Sequence, residues 1–430
     1  MFSLRHYLTI MFTVVIVIAN AACALVPATT SAQINTRTAV SLTPITTINM
    51  SPLHNKAWIP GAQYIAEVNE QNITITNILA QTNIKLTAPH AKNVVFSNSG
   101  SLLAVSSYTD PISIYDLEQT LRTVINGPYT DITVMHFSEK DDMLIAIDAA
   151  KMVYIWDLTT YGLVSLYDFS SWPDINRQIQ SLKLSPDKST LAVISTDDIP
   201  AIKLCSLIEL GACSTTTWPA SARPFYEVEF SPNWDKVALI SGASAQIINL
   251  TTNTPGPLLT HEDALSNWKF SPDGKLFAVY TAGTINQHYA SILKLWDATS
   301  GSHIQTFMRS TYNSATVLNP AWTHLATSSD TGYIHIWNIE TGVQDTIYPN
   351  NNMGIEYQAL QYSPDGKILA SLDITGTLAL WDTKTHIQLK AVSLPNTYPT
   401  NLDFSSQGDW ITTTTDDDYI TLWKPVDPTN

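Results

Sequence analysis

The chain has 430 residues, and 22 lysines and arginines stand against 37 aspartates and glutamates, which gives a formal net charge of −15. This acidic balance argues against binding to nucleic acid and to anionic membrane surfaces, because both require a basic surface. With 16 glycines, 23 prolines and 10% aromatic residues, the composition is typical of a soluble protein rich in strands and turns.

Residues 1–22 have the pattern of a secretory signal peptide. Arg5 precedes an apolar run over residues 8–19, which is short for a membrane span. Three outcomes fit the small residues that follow: cleavage after Ala21, lipidation of Cys23 at a sequence that resembles a bacterial lipobox, or an uncleaved anchor. We favour the lipoprotein, so the expected location of the exported protein is the cell envelope, with free secretion or a periplasmic location second.

The following stretch, 23–36, is rich in Ala, Thr, Pro and Ser without periodicity, and we expect a flexible tether there. Strand propensity returns over residues 38–48. The few residues after Trp423 leave no room for a further strand. We therefore predict that part of 38–48 supplies the outer strand of the last sheet and removes an exposed edge.

From about residue 55 onward, one unit is repeated. Its clearest copy, residues 362–392, contains a Ser-Pro-Asp-Gly turn, an apolar strand, a second turn, a strand that ends at Trp381, and an outer strand. The equivalent strands of the nine copies end near Thr76, Tyr115, Trp156, Cys205, Ile248, Trp296, Trp337, Trp381 and Trp423. Their spacing of 39 to 49 residues is the period of a propeller blade, and units of this size need neighbours to bury both faces.

Three copies contain the segments LKLWDATSG (293–301), IHIWNIETG (334–342) and LALWDTKT (378–385). With the turns before them, these segments resemble the WD40 repeat family over nearly all of the chain after residue 55. The resemblance implies an all-β fold, a single closed β-propeller of four-stranded antiparallel blades over residues 37–430. The count of strand ends favours nine blades, with eight as the alternative. The leader suggests a bacterial-type exported member of the family.

In the WD40 family, a His before the first strand, an Asp in the second turn and the Trp form a buried hydrogen-bond network. Here the network is incomplete. His261 and Trp296 occur without the Asp, whereas Asp373 and Trp381 occur without the His. We therefore expect stability to depend more on apolar packing between blades than on this network.

Two cysteines remain after the leader, Cys205 and Cys213. They occupy the positions of Trp156 and Val164 in the neighbouring repeat, which lie nearly opposite each other across a hairpin turn. Because an exported protein meets an oxidising compartment, we predict a Cys205–Cys213 disulfide. The alternative is a pair of buried free thiols.

Aromatic residues recur in the loops that join one blade to the next. A Trp-Pro pair stands 12 residues before the same landmark in two adjacent repeats, and tyrosines fall in comparable loops. Because aromatic side chains are common anchors of interfaces, we predict a partner-binding patch on this face. Its residues are Trp172, Trp218, Tyr226, Tyr312 and Tyr357. The alternative is that both tryptophans fold back between blades.

The sequence has no catalytic, phosphate-binding or metal-binding motif, and we expect neither a cofactor nor a metal. The favoured function is a monomeric, non-catalytic scaffold for a protein or peptide partner, with membrane contact only through lipid on Cys23. One alternative is a propeller enzyme, a hydrolase or lyase acting on a small molecule or sugar. Its sign would be a channel lined by carboxylates and histidines with shifted pKa values. The other is a ligand- or glycan-sensing module.

Overall fold

Over the described residues, the computed structural model is all β, with nine four-stranded antiparallel sheets arranged as the blades of a closed propeller. The structure describes residues 34–35, 39, 42–49, 56–58, 64–68, 72–77, 80, 82–88, 91–107, 110–117, 121–125, 131–138, 140–170, 179–195, 201–207, 213–217, 227–261, 265–285, 288–309, 315–329, 332–347, 354–394, 398–405, 407–417 and 419–425. In that part of the chain, no helix is long and apolar enough to span a bilayer. The prediction of nine blades is confirmed, and the alternative of eight is wrong.

Strands are numbered in chain order, and the first described strand is β1 (Leu42–Asn49). Blade 1 contains β2 (Lys56–Trp58), β3 (Tyr64–Val68), β4 (Asn72–Asn77) and β5 (Thr82–Thr87). Blade 2 contains β6 (Ala91–Phe96), β7 (Leu102–Ser107), β8 (Ser113–Asp116) and β9 (Leu121–Val124). Blade 3 contains β10 (Ile132–Phe137), β11 (Met143–Asp148), β12 (Met152–Asp157) and β13 (Gly162–Asp168). Blade 4 contains β14 (Ile179–Leu184), β15 (Thr190–Ser195), β16 (Ala201–Ser206) and β17 (Cys213–Thr217).

Blade 5 contains β18 (Glu227–Phe230), β19 (Lys236–Ser241), β20 (Ser244–Asn249) and β21 (Thr254–Thr260). Blade 6 contains β22 (Leu265–Phe270), β23 (Leu276–Ile285), β24 (His288–Asp297) and β25 (His303–Arg309). Blade 7 contains β26 (Thr316–Leu318), β27 (His324–Ser328), β28 (Ile334–Asn338) and β29 (Gln344–Ile347). Blade 8 contains β30 (Tyr357–Tyr362), β31 (Ile368–Asp373), β32 (Thr377–Asp382) and β33 (Gln388–Ser393). Blade 9 contains β34 (Pro399–Phe404), β35 (Ile411–Thr415) and β36 (Tyr419–Pro425), with β1 as its fourth strand.

In blades 6 and 8, one serine organises the turn between the first two strands. In blade 8, the Ser363 hydroxyl donates to Asp365 at 2.7 Å and accepts from the backbone N–H of Ile368 at 3.0 Å. Gly366 closes the turn at a φ of 71°, a conformation that suits glycine because it has no Cβ. Ser271 and Asp273 repeat the serine–aspartate bond in blade 6 at 2.7 Å. The Ser-Pro-Asp-Gly sequence therefore produces the hairpin that starts the sheets of blades 6 and 8.

Apolar packing between neighbouring blades forms the core. Eight clusters of described residues each join two consecutive blades, from blades 1 and 2 through to blades 8 and 9. The tryptophans that end third strands are central to this packing, and Trp156, Trp381 and Trp423 are all at most 1% exposed. Because each cluster needs side chains from two sheets, a blade has no complete core of its own.

The N-terminal strand closes the ring as predicted. β1 pairs with β36 in antiparallel register, from Leu42 opposite Pro425 to Asn49 opposite Tyr419. The side chain of Leu42 is buried in the same cluster as Trp423. This pairing gives blade 9 its outer strand within one residue of the predicted segment, 38–48.

The predicted disulfide is formed between Cys205 and Cys213. The two residues lie directly opposite each other on β16 and β17, with 4.0 Å between their Cα atoms. Cys205 is fully buried among residues of blades 3 and 4. The bridge therefore ties the outer strand of blade 4 to the interblade core.

Blade 6 lacks a tryptophan hydrogen bond that blades 7, 8 and 9 have. In blades 7, 8 and 9, the tryptophan of the third strand pairs with a residue on the second strand. Its indole N–H donates to the hydroxyl of the residue two positions further along that second strand. These bonds run from Trp337 to Thr327 at 3.1 Å, from Trp381 to Ser371 at 2.9 Å, and from Trp423 to Thr413 at 2.9 Å. In blade 6, the register puts Val279 at the hydroxyl position. The buried indole nitrogen of Trp296 consequently has no partner among the described residues.

Candidate functional site

The first strand of each blade is its inner strand. Inner strands of neighbouring blades lie side by side around the centre of the ring, as β6 does with β10, β10 with β14, and β30 with β34. Blades arranged radially in this way surround a central channel. Side chains from different blades therefore meet on the channel wall although they are far apart in sequence.

One position on the inner strands forms a layer around the channel. The last residue of these strands packs into the interblade core, as Phe230 and Phe270 do. Because side chains alternate along a strand, the residue before it projects on the opposite side, and each of these residues is half-buried. We call the eight described side chains at this position the channel layer: Val95, His136, Lys183, Glu229, Lys269, Val317, Gln361 and Asp403. Of these, Val95 and Val317 also pack against interblade clusters.

Four consecutive blades, 3 to 6, contribute charged or titratable groups to the channel layer. The ammonium of Lys183 lies 3.8 Å from a carboxylate oxygen of Glu229 on the next blade. Burial raises the pKa of Glu229 against the opposing charges of Lys183 and Lys269. Burial also lowers the pKa of Lys269, and burial together with Lys183 lowers the pKa of His136. These groups therefore act on one another across blade boundaries.

A single carboxyl group, Asp403, lies in the channel layer of blade 9. Burial raises the pKa of Asp403 to about 6, and the side-chain amide of Asn401 donates to its carboxylate at 3.0 Å. Blade 9 lies across the ring from the middle of blades 3 to 6. The channel thus has a charged arc on one side and a carboxyl group that titrates near neutral pH on the other.

The channel layer meets only part of the expectation for a propeller enzyme. Carboxylates and a histidine with shifted pKa values line the channel, but Glu229 and Asp403 belong to blades 5 and 9. Among the residues that the structure describes, no three His, Cys, Asp or Glu side chains are grouped closely enough to hold a metal ion. The arrangement offers charged groups for binding.

The predicted aromatic patch lies mostly outside the described residues. Trp172, Trp218, Tyr226 and Tyr312 all fall there, as do the predicted leader and Cys23, so their assignments stay predictions. Tyr357 is described, and its inclusion is wrong, because its side chain is only 5% exposed and packs between blades 7 and 8.

The physical cause is an irregularity at the start of β30. The register shifts between Tyr357 and Ala359, so one extra residue changes the side to which Tyr357 points. Without that shift, the alternation of side chains would place Tyr357 on the same side as Gln361 of the channel layer. The bulge instead turns the ring into the interblade core.

Tyr398 is an entrance aromatic that the sequence reasoning missed. It directly precedes β34, at the end of the ring where chains enter the inner strands, and it is 74% exposed. The signal was present, because Tyr398 stands six residues before Phe404, as Tyr312 stands six before Leu318. Among the described residues, Tyr398 is therefore the exposed aromatic side chain at this end.

Nine four-stranded blades among the described residues define a closed β-propeller. The family profile described as "WD domain, G-beta repeat" matches residues 394–424. The chain is 24% identical over 296 residues to WD repeat-containing protein 82 of Drosophila melanogaster. The aligned residues make up 64% of this chain and 86% of that protein. It is 22% identical over 211 residues to target of rapamycin complex subunit LST8 of Bos taurus, covering 46% of this chain and 62% of that protein.

A third relative is transcription initiation factor TFIID subunit 5 of Caenorhabditis elegans, with 24% identity over 177 residues, 40% of this chain and 26% of that protein. The matched segment 394–424 includes Trp423 of the last blade. The matches agree with the segments at Trp296, Trp337 and Trp381 and with the observed blades. The profile match in the last blade and these relatives support placing the chain among the WD40 repeat β-propellers.

Proposed function

We propose that the protein is an exported, lipid-anchored WD40 propeller that binds a protein or peptide partner and performs no catalysis. The closed ring is the observation that carries this proposal. Its blades are joined by buried clusters and sealed by β1, so it presents a surface that needs little ordering on binding. Two relatives, the rapamycin-complex and TFIID proteins, are named as subunits of larger assemblies, which supports a role in protein contacts.

The partner-binding face in this proposal is the end of the ring where chains enter the inner strands. Tyr398 is exposed there, and Trp172 and Trp218 are assigned to the same end by their sequence positions. Large aromatic side chains contribute much of the binding energy at interfaces because they bury a large area at a low entropy cost. A partner that covers this face would bury Tyr398.

Capture of partners from an envelope extract tests this face. We expect Tyr398→Ala and the double substitution Trp172→Ala with Trp218→Ala each to weaken capture at least about tenfold. Ile387→Ala is the matched control, because Ile387 is 61% exposed and lies in the turn between β32 and β33, at the opposite end of the ring. Equal capture by all four proteins would contradict the proposed face.

Anchoring is proposed from the leader, in which Cys23 follows Ala21 and Ala22. Lipidation at Cys23 would place the propeller at a membrane surface, and 23–36 would act as the spacer. Mass spectrometry of the mature protein tests this directly. A lipid-modified Cys23 at the N-terminus is the expected result, cleavage after Ala21 would make the protein free, and an intact Met1 would contradict export by either route.

A further inference from the structure

The outer strand of blade 3 has an exposed apolar edge. Leu163, Val164 and Leu166 of β13 are 49%, 49% and 47% exposed, and among the described side chains no other strand has more than one large apolar residue so exposed. Within the described part of the chain, β13 pairs only with β12. The backbone groups on its other edge are therefore available to a further strand.

The outer strands of the other blades have features that β13 lacks. Prolines, positive charges and short length are devices by which natural edge strands avoid further pairing. A proline occurs in β1 and β21, a lysine or arginine occurs in β5, β9, β25 and β33, and β17 and β29 have at most five residues. By contrast, β13 has seven residues, no proline, and a single charge, Asp168, at its end. A register shift beside Val164 leaves 165–168 as a regular edge.

A groove of about 480 Å³ lies beside this edge. Residues 164–169 line it from blade 3, and Lys203 and Cys213 line it from blade 4. The lining is mainly apolar and aromatic, and its two opposite charges, Lys203 and Asp168, leave it without net charge. A groove of this size and composition suits uncharged side chains.

Contacts between blades 3 and 4 fix the shape of the groove. The hydroxyl of Tyr167 donates to the backbone carbonyl of Ser206 at 2.8 Å. The ammonium of Lys203 lies 5.4 Å from the centre of the Phe169 ring, and the disulfide holds Cys213 on the third strand of blade 4. The groove is therefore formed before a ligand arrives, which lowers the entropy cost of binding.

We propose that β13 and this groove bind an extended, uncharged segment of a partner protein, which adds to blade 3 as a fifth strand. In this mode of recognition, main-chain hydrogen bonds to the edge give affinity, and contacts with alternate side chains give specificity. Tyr167 packs toward blade 4, so Leu166 projects on the opposite side of the sheet. Side chains on one side of the added strand enter the groove, and those on the other side cover Leu166.

Two observations favour a partner segment over a second copy of this chain. Tyr167 and Phe169 are only 6% and 2% exposed, so a copy that paired through its own β13 would have neither aromatic ring available for the groove. The formal net charge of −15 also makes two copies repel each other, and it disfavours an acidic segment. The inference rests on the proposed binding of a protein or peptide partner, but it uses the rim of the ring and not the entrance at Tyr398.

Fluorescence anisotropy with the full-length protein tests the proposal. The probe is a labelled, amidated hexapeptide of alternating valine and threonine, and a matched probe is N-methylated at every backbone nitrogen. We expect Leu166→Lys to weaken binding at least about tenfold, because a lysine on an edge strand opposes pairing. N-methylation should weaken binding by a similar factor, because it removes the backbone donors and keeps the side chains. Leu258→Lys is the matched control, because Leu258 is 57% exposed on an outer strand that prolines already interrupt, and it should bind as the unaltered protein does.

Absence of binding by the unmethylated probe, or equal binding after Leu166→Lys or N-methylation, would overturn the proposal. Sedimentation tests the second copy: a dimer that Leu166→Lys converts to a monomer would assign the edge to self-association and would also overturn it. Tyr398→Ala should bind the hexapeptide as the unaltered protein does. A failure at the entrance and a failure at the rim are therefore distinguishable.

Amide hydrogen exchange supplies a second measurement. With the hexapeptide at saturation, exchange over residues 162–168 should slow at least about tenfold, whereas exchange over 254–260 on blade 5 should not change. Protection that appears on another blade and not on β13 would contradict strand addition at this edge.

Discussion

His261 should make the propeller sensitive to acid. Its side chain is 92% buried, and both ring nitrogens lack hydrogen-bond partners among the described residues. The ring lies 5.6 Å from the indole of Trp296. Burial, followed by the nearby charges of Lys294 and His303, lowers the pKa of His261 to about 4. The unfolded chain therefore binds a proton at His261 near pH 6.5, whereas the folded protein binds it only at lower pH.

The direction and size of the effect follow from this difference. Above about pH 6.5, the imidazole is neutral in both states and contributes no pH dependence. Between about pH 6.5 and 4, only the unfolded chain binds the proton, so the free energy of unfolding falls by up to about 1.4 kcal/mol per pH unit. The total is about 3 kcal/mol for a shift of this size, which is large against a typical stability of roughly 5 to 15 kcal/mol.

The assay compares urea unfolding of the unaltered protein and His261→Leu at several pH values between about 7.5 and 4.5. Leucine is similar in volume and cannot be protonated, so the stability difference in its favour should grow as the pH falls. His303→Leu is the control, because this exposed ring also lies near Trp296, 5.2 Å between ring centres, and its loss should leave most of the acid dependence in place. A difference between the unaltered protein and His261→Leu that stays constant across the pH range would refute the reasoning.

Three further outcomes are expected from thermal and urea unfolding. Val279→Thr should add about 1 kcal/mol by giving the buried indole of blade 6 an acceptor, and the absence of a gain would contradict this expectation. Deletion of residues 33–48 should lower the melting temperature, because blade 9 loses its outer strand; an unchanged midpoint would contradict closure by that strand. Gly301→Ala should cost at least about 1 kcal/mol, because φ is +67° and the new Cβ would lie 2.1 Å from the Pro257 ring. Gly242→Ala, at φ +53° with open space around it, should cost less, and equal losses would contradict the clash.

The blades were predictable because each copy repeats two local signals. Turn chemistry around residues such as Ser363 and Gly366 starts a hairpin, and the alternating strand that ends at a residue such as Trp381 fixes the third strand. The third strands β8, β12, β16, β20, β24, β28 and β32 end one residue after their landmark positions. The closing strand was predictable for a different reason, since an unpaired outer edge in blade 9 had to be covered.

The channel layer was not predicted, although its positions can be read directly from the sequence. Each residue stands immediately before a landmark such as Phe230 or Phe270. The sequence did not show which of these residues are neighbours in space, because Lys183 and Glu229 approach each other only after two blades have stacked. The prediction for Tyr357 was wrong for a local reason. A one-residue bulge reverses the direction of its side chain and does not change the spacing of the sequence motifs.

The pairing of β1 with β36 also has a consequence for biosynthesis. Leu42 pairs with Pro425, so the first strand that the structure describes must wait for almost all of the following chain before its hydrogen-bonding partner has been made. Such a contact order slows the final step of folding and leaves two open sheet edges on a nascent or truncated product. A cut within β36 would separate the two strands that close the ring.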